Sequence, residues 1–243
     1  MKEFRLRKEV EEVILRAKKF WIQGDNKKAN EILHKELLNA KAKFPLLEYG
    51  ADLLFQDRKF QETVVFLNDL LKKETIGGFV LAGKGLQNFT EAHHRKSLEA
   101  AKRFIAPISE WYGCDIVGER VMGYALWKLP EETLPELKKY LSDENPWIRR
   151  VVGVAGHYAV KKGLKRKYVE ELFSLLMTQA HVTDFHTKTG TGWAAKTIAK
   201  FHPDIVHKYE EKILGDPNIR PWFKTKIRIG FGRSAKYAGR YTE

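Results

Sequence analysis

Cysteine is all but missing from this chain: among 243 residues only Cys114 carries a thiol. No internal disulfide can form, and no cysteine-based zinc cage can be assembled. The sequence contains no GxGxxG, Walker loop, HExxH or nucleophile elbow, the patterns that mark dinucleotide, nucleotide, zinc-protease and serine-hydrolase sites. His181 with His186, and His202 with His207, stand five apart without further ligands, so no metal is expected. No apolar run approaches the roughly 20 residues of a membrane-spanning helix. The N-terminal MKEFRLRKEVEEV is charged and helical in pattern rather than a secretion signal. The expectation is a soluble, cytoplasmic monomer with no membrane partner and no cofactor.

Acidic residues are also missing, but locally. Between Asn145 and Tyr168 there are Arg149, Arg150, Lys161, Lys162, Lys165, Arg166 and Lys167 and no acid; between Pro217 and Tyr241 there are Arg220, Lys224, Lys226, Arg228, Arg233, Lys236 and Arg240 and again none. The N-terminal half instead alternates sign, as a solvated helix face does. With 44 Lys and Arg against 31 Asp and Glu, the formal charge is +13. Charge so concentrated points to a polyanionic partner.

What is present is a repeat. A turn followed by a basic, glycine-containing amphipathic stretch recurs about every 36 residues, with copies starting near Leu71, Pro107, Leu141, Met177 and Leu214, a period typical of two-helix repeats. Apolar residues recur at helical spacing, as in Val10, Val13, Ile14 and Ala17. Helices are expected near 2–21, 27–43, 45–56, 58–73, 75–88, 91–106, 108–127, 130–141, 146–162, 166–180, 187–201, 203–214 and 217–229, with no strand. Asn145–Pro146, Asp216–Pro217 and Pro130 followed by Glu131 and Glu132 read as helix starts. The fold class is all-α, a curved α-solenoid of stacked HEAT-like two-helix repeats. One domain spans 1–230, with N-terminal helices to residue 70 and the clearest repeats from 71. Residues 231–243 form a basic tail with Phe231, Tyr237 and Tyr241 interleaved.

Glycines inside the second helices (Gly83, Gly118, Gly123, Gly153, Gly156, Gly192) cost about 1 kcal/mol each against alanine. Either helices pack closely there, or bare backbone admits a ligand. The stretch from His181 to Gly192 reads as a loop, its Thr-Gly-Thr-Gly run carrying no phosphate signature.

Trp111 and Asp115 are four apart, so on a helix they share a face. The next copies supply Trp147 with Arg149 and Arg150, then Trp193, then Trp222. Asp115 could alternatively cap a helix, Arg150 could pair with a neighbouring acid, and Trp147 and Trp222 could be core staples. A concave face of tryptophan, aspartate and arginine in a basic groove suits a ligand with an anionic backbone and flat side groups, which describes nucleic acid.

On WYGCD, ENPWIRR and TGWAAKTIAKFHPDIVHKY, over roughly residues 70–230, the chain resembles the HEAT-like-repeat DNA alkylation repair proteins, including the AlkD-type alkylpurine DNA glycosylases. The resemblance implies a monofunctional glycosylase that binds double-stranded DNA and releases cationic alkylated purines. It assigns lesion contacts to Trp111 and Trp193, the catalytic carboxylate to Asp115, and a DNA contact to Arg150. Arg149, Lys188, Lys196, Lys224, Lys226 and Arg228 complete the expected DNA-binding set. Residues 1–70 do not show the family's N-terminal pattern. The alternative is a HEAT-repeat protein that binds bent or branched DNA without excising bases.

Overall fold

The apolar spacing organises the chain as expected: Val10, Val13, Ile14 and Ala17 are all buried on one side of the first helix. A computed structural model describes residues 3–240. Within them the chain divides into two compact units, residues up to Val121 and residues from Met122. Both are helical, so the all-α class holds.

The first unit begins with β1 (Glu3–Phe4), α1 (Arg7–Ile22) and α2 (Asn26–Leu33), which runs into a π-turn at His34–Leu38. Then follow β2 (Lys41–Ala42), α3 (Phe44–Phe55), α4 (Phe60–Leu70), α5 (Ile76–Gln87), α6 (His94–Ile105) and α7 (Trp111–Gly118). After α7 comes another π-turn, Glu119–Gly123. Here α3 packs between α1 and α5, and α5 packs on α7. The second unit holds α8 (Tyr124–Lys128), α9 (Pro130–Tyr140), α10 (Pro146–Lys161), α11 (Arg166–Met177) and α12 (Phe185–Phe201). It closes with α13 (Pro203–His207), α14 (Glu210–Gly215), α15 (Pro221–Phe231) and α16 (Ser234–Tyr237). In it α12 lies between α10 and α15.

Polar cross-links join residues 36 to 40 apart in both units. His34 Nε2 reaches the Leu70 carbonyl at 3.0 Å and Asn88 donates to Asp52 at 2.8 Å, each across 36 residues. In the second unit Lys208 donates to Glu170 at 2.9 Å across 38 residues, and the Trp222 indole N–H to the Val182 carbonyl at 3.0 Å across 40. Within each unit, segments some 36 to 40 residues apart in the chain are thus tied to one another.

The glycines serve close packing. A Cβ on Gly153 would lie 2.0 Å from the Gly190 carbonyl oxygen, and one on Gly190 would lie 2.3 Å from the Arg150 carbonyl oxygen. One on Gly123 would strike Tyr158 at 2.7 Å, and one on Gly83 the Arg120 stem at 2.9 Å. Helix propensity is given up so that backbones can approach.

Several expected boundaries are corrected. No helix begins at residue 2, because Glu3–Phe4 pairs in parallel with Lys41–Ala42. The chain turns helical at Arg7, where Glu9 accepts from the backbone N–H of Arg5 and Leu6 at 2.9 and 2.8 Å. The stretch 181–192 that reads as a loop is helix from Phe185 onward, two residues before the expected 187, because Asp184 caps it through the Thr187 N–H at 2.7 Å. The last long helix starts at Pro221, not Pro217, since Asp216 is spent on a turn to the Asn218 N–H at 2.8 Å. The stretch 203–214 is broken between His207 and Glu210. Asn145 and Pro130 start helices as read, Asn145 accepting from the Trp147 N–H at 2.9 Å.

The segment after residue 230 is not an open tail as far as it is described. Phe231 closes α15, and Tyr237 on α16 packs edge-on against Phe201, ring centroids 5.4 Å apart. Tyr241 lies outside the described residues. No described helix is long and apolar enough to cross a membrane.

Candidate nucleic-acid interface

In the first unit the Trp-x-x-x-Asp pair falls on α7, which Glu110 enters with extended backbone. Trp111, the first helical residue, is 55 % exposed; Asp115, one turn on, is only 7 % exposed. Asp115 is therefore a mid-helix residue and not a cap. The adjoining Tyr112 contacts Trp111 and reaches down to Phe79, both edge-on at 6.0 Å. Behind the pair, the Arg120 guanidinium donates to Glu48 at 2.7 and 3.0 Å and to the Ile116 carbonyl at 3.1 Å, which fastens the π-turn to α3.

The second unit gathers its cations around α12. Trp193 is half-buried and stacks on His157, ring centroids 3.9 Å apart. One turn on, Lys196 is held below the usual lysine range by burial first and then by Lys226, Arg233 and Lys200. Every charge that shifts it is positive. Lys226 reaches this face because its stem lies along Gly192, where a Cβ would meet the Lys226 Cγ at 2.9 Å. Lys200 in turn sits 3.3 Å from the Tyr237 ring centroid.

Other expected DNA contacts are placed differently. Arg149 donates to the carbonyls of Asp143 and Glu144 at 2.6 and 2.8 Å and to the Thr187 hydroxyl at 3.0 Å, and lies 3.5 Å from Asp184. It braces the start of α12 and has little left for phosphate. Arg150 is 4 % exposed. Lys188 is half-buried with its ammonium 5.6 Å from the exposed Phe185 ring. Lys224 and Arg228 occupy the opposite flank of α15 from Lys226, lining a groove of about 170 Å³ with Val206, Ile213 and Phe231; Lys224 is bonded to the Leu214 carbonyl at 3.1 Å. So α15 divides its charges between two faces.

Trp147 lies against His186 with ring centroids 4.0 Å apart and planes tilted by 44°, and Trp222 is tied to Val182 and packed on Gly192. Both act as braces. Sequence reasoning passes over His157, Thr197 and Lys200, and counts Arg233 only as one charge of the C-terminal basic block. A weak signal exists for the first two, which stand 40 residues apart, near the sequence period of about 36.

A family model described as DNA alkylation repair enzyme matches residues 48–221, well over half of the chain. The chain belongs to that family. The matched span contains Trp111, Asp115, Arg150 and Trp193, begins earlier than the motifs suggest, and ends as α15 begins. Neither the curated proteins nor the solved structures gave a match. Membership in the DNA alkylation repair family implies DNA as the substrate class.

Proposed function

We propose that this protein is a monofunctional alkylpurine DNA glycosylase, built from HEAT-like two-helix repeats stacked as an α-solenoid, which hydrolyses the N-glycosidic bond of N3- or N7-alkylated purines in duplex DNA. The observation that carries the reading is the exposed Trp111 one turn ahead of the buried Asp115 on α7, in a chain of the DNA alkylation repair family.

The chemistry needs little else. A purine alkylated at N3 or N7 is already cationic and departs as a neutral base, so no general acid is required. The sugar becomes oxocarbenium-like as the bond stretches. A carboxylate about 4 Å from that cation contributes roughly 4 kcal/mol at an effective dielectric of 20, near a thousandfold in rate. Asp115 is the group assigned to this, and it also orients the attacking water. Burial favours it, because preorganised charge acts more strongly away from solvent. The faces of Trp111 and Trp193 prefer a cationic base over a neutral one by about 1–2 kcal/mol. Lys196, Lys200, Lys226 and Arg233 hold the phosphates, with Lys188 further along α12.

Incubation with N-methylpurine-containing duplex tests the reading: free methylated base should appear by chromatography, leaving alkali-labile abasic sites. Salt-sensitive DNA binding without base release would favour the non-catalytic alternative.

A further inference from the structure

One face of Trp193 is already taken. His157 on α10 lies against the indole with ring centroids 3.9 Å apart and planes inclined by 22°. Its Nδ1 is 2.7 Å from the Thr197 hydroxyl oxygen, and that hydroxyl sits 2.9 Å from the Trp193 carbonyl, to which it donates. With its hydrogen committed, Thr197 can only accept from the imidazole, which assigns the proton to Nδ1. A closed triangle thus fixes both the ring and the backbone of one tryptophan.

We propose that His157 is the positioning residue for Trp193: a rigid, uncharged floor that sets the indole plane and leaves the opposite face for a cationic base. The proposal deepens the glycosylase reading and rests on it. A tryptophan on a helix has rotamers to choose from, and a contact that discriminates by the π-face works only if the face is held still. The imidazole supplies that support without competing. Were it protonated, its charge would lie about 8 Å from a cation on the far face, a repulsion of about thirtyfold in affinity at an effective dielectric of 20.

The surroundings keep it neutral. Burial acts first, followed by Lys161 on its own helix and by Lys196 and Lys200 on α12, and together they take His157 down to about 3. The lysines that favour phosphate therefore also deny the histidine its proton. Fold stability alone asks for none of this; a leucine would fill the space.

The test compares His157→Ala, which removes the floor, with His157→Phe, which restores a flat ring without the nitrogen. The emission of Trp193, taken as the difference from a Trp193→Phe background, should shift to the red and become easier to quench in the alanine variant, and return in the phenylalanine variant. The preference for duplex carrying one N7-methylguanine over unmodified duplex should fall about tenfold in the alanine variant, the size of one desolvated cation–π contact. It should recover to within about threefold of the parent in the phenylalanine variant, since the opposite face is again supported. Unmodified-duplex affinity should stay constant throughout. Unchanged emission and preference in His157→Ala would overturn the proposal, and so would a loss that phenylalanine leaves in place. If the parent releases no base, the glycosylase reading falls, yet emission and lesion preference still decide on His157 by the same criteria.

Discussion

Gly153 of α10 and Gly190 of α12 meet backbone to backbone, with room for no side chain on either: a Cβ on the first would sit 2.0 Å from the carbonyl oxygen of the second. Gly153→Ala must push the helices apart, because the obstructing atoms are main chain. A loss of about 3 kcal/mol or more is expected, at or above the usual cost of overpacking. Gly215→Ala is the control, with nothing within 4 Å of its Cβ, and should be neutral or stabilising by up to about 1 kcal/mol. Urea unfolding of the two variants decides; equal behaviour would mean that the contact is not what fixes α10 on α12.

Asp115→Asn keeps the size and removes the charge. Single-turnover excision should drop by about two to three orders of magnitude, the loss of roughly 3–4 kcal/mol of oxocarbenium stabilisation. DNA binding should hold or tighten slightly. The loss should be steepest for the more stable N7 adducts and mildest for labile N3 adducts. An asparagine variant as fast as the parent removes the carboxylate from the mechanism.

DNA affinity should fall by roughly a thousandfold between 50 and 200 mM salt if about six phosphates are contacted. Lys196→Ala and Lys226→Ala should each reduce the salt slope by about one, because they share the face beside Trp193. Lys224→Ala and Arg228→Ala, on the other flank of α15, should leave it nearly intact. Titrations at several salt concentrations would expose a wrong division if all four slopes changed alike.

The tryptophans should separate by the same logic. Trp111→Ala, from a site 55 % exposed, should cost about 1 kcal/mol or less of stability while slowing excision. Trp222→Ala loses the hydrogen bond to Val182 and its packing on Gly192, and should cost about 3 kcal/mol. Melting curves beside excision rates check this; equal destabilisation with full activity would sink it.

His157 titrates near 3 in the folded protein and near its ordinary 6.5 once unfolded. Its folded value is depressed, so the neutral form's contribution is whole above 6.5 and drains away as pH falls toward 3. Between pH 7 and pH 5 the protein should lose about 2 kcal/mol through this residue, at 1.36 kcal/mol per pKa unit. His34 and His202, also held low by burial first, add to the loss, so the quantity to measure is the parent minus His157→Phe. Parallel stability curves for the two proteins would contradict the assignment.

The helical class and the Trp111–Asp115 pair are legible in the sequence because both live in local spacing: apolar residues at helical intervals and a step of four. Asp115's burial, and the spending of Arg149 on Asp143, Glu144 and Thr187, are not legible, because they depend on which helix end arrives next to which. The glycines stood between two explanations until the partner backbones were located. The Thr-Gly-Thr-Gly run at the start of α12 looks like a loop although the helical spacing already covers it from residue 187; α10 and the Lys226 stem pack where the side chains of Gly190 and Gly192 would be. The two flanks of α15 likewise differ only by which neighbour each faces.

The hydrogen bonds that join residues 35 to 40 apart, such as Ser109 to Glu74 at 3.3 Å and Lys208 to Glu170 at 2.9 Å, make changes of chain length inside a helix costly. An insertion of a few residues within one of these helices would carry its donors away from acceptors held on the helix it faces. Thermodynamically the same lacing makes each link a nearest-neighbour quantity. Cutting one should be felt most by the two helices it joins, so that pairs of cuts on the same helix couple and pairs on helices that do not touch simply add.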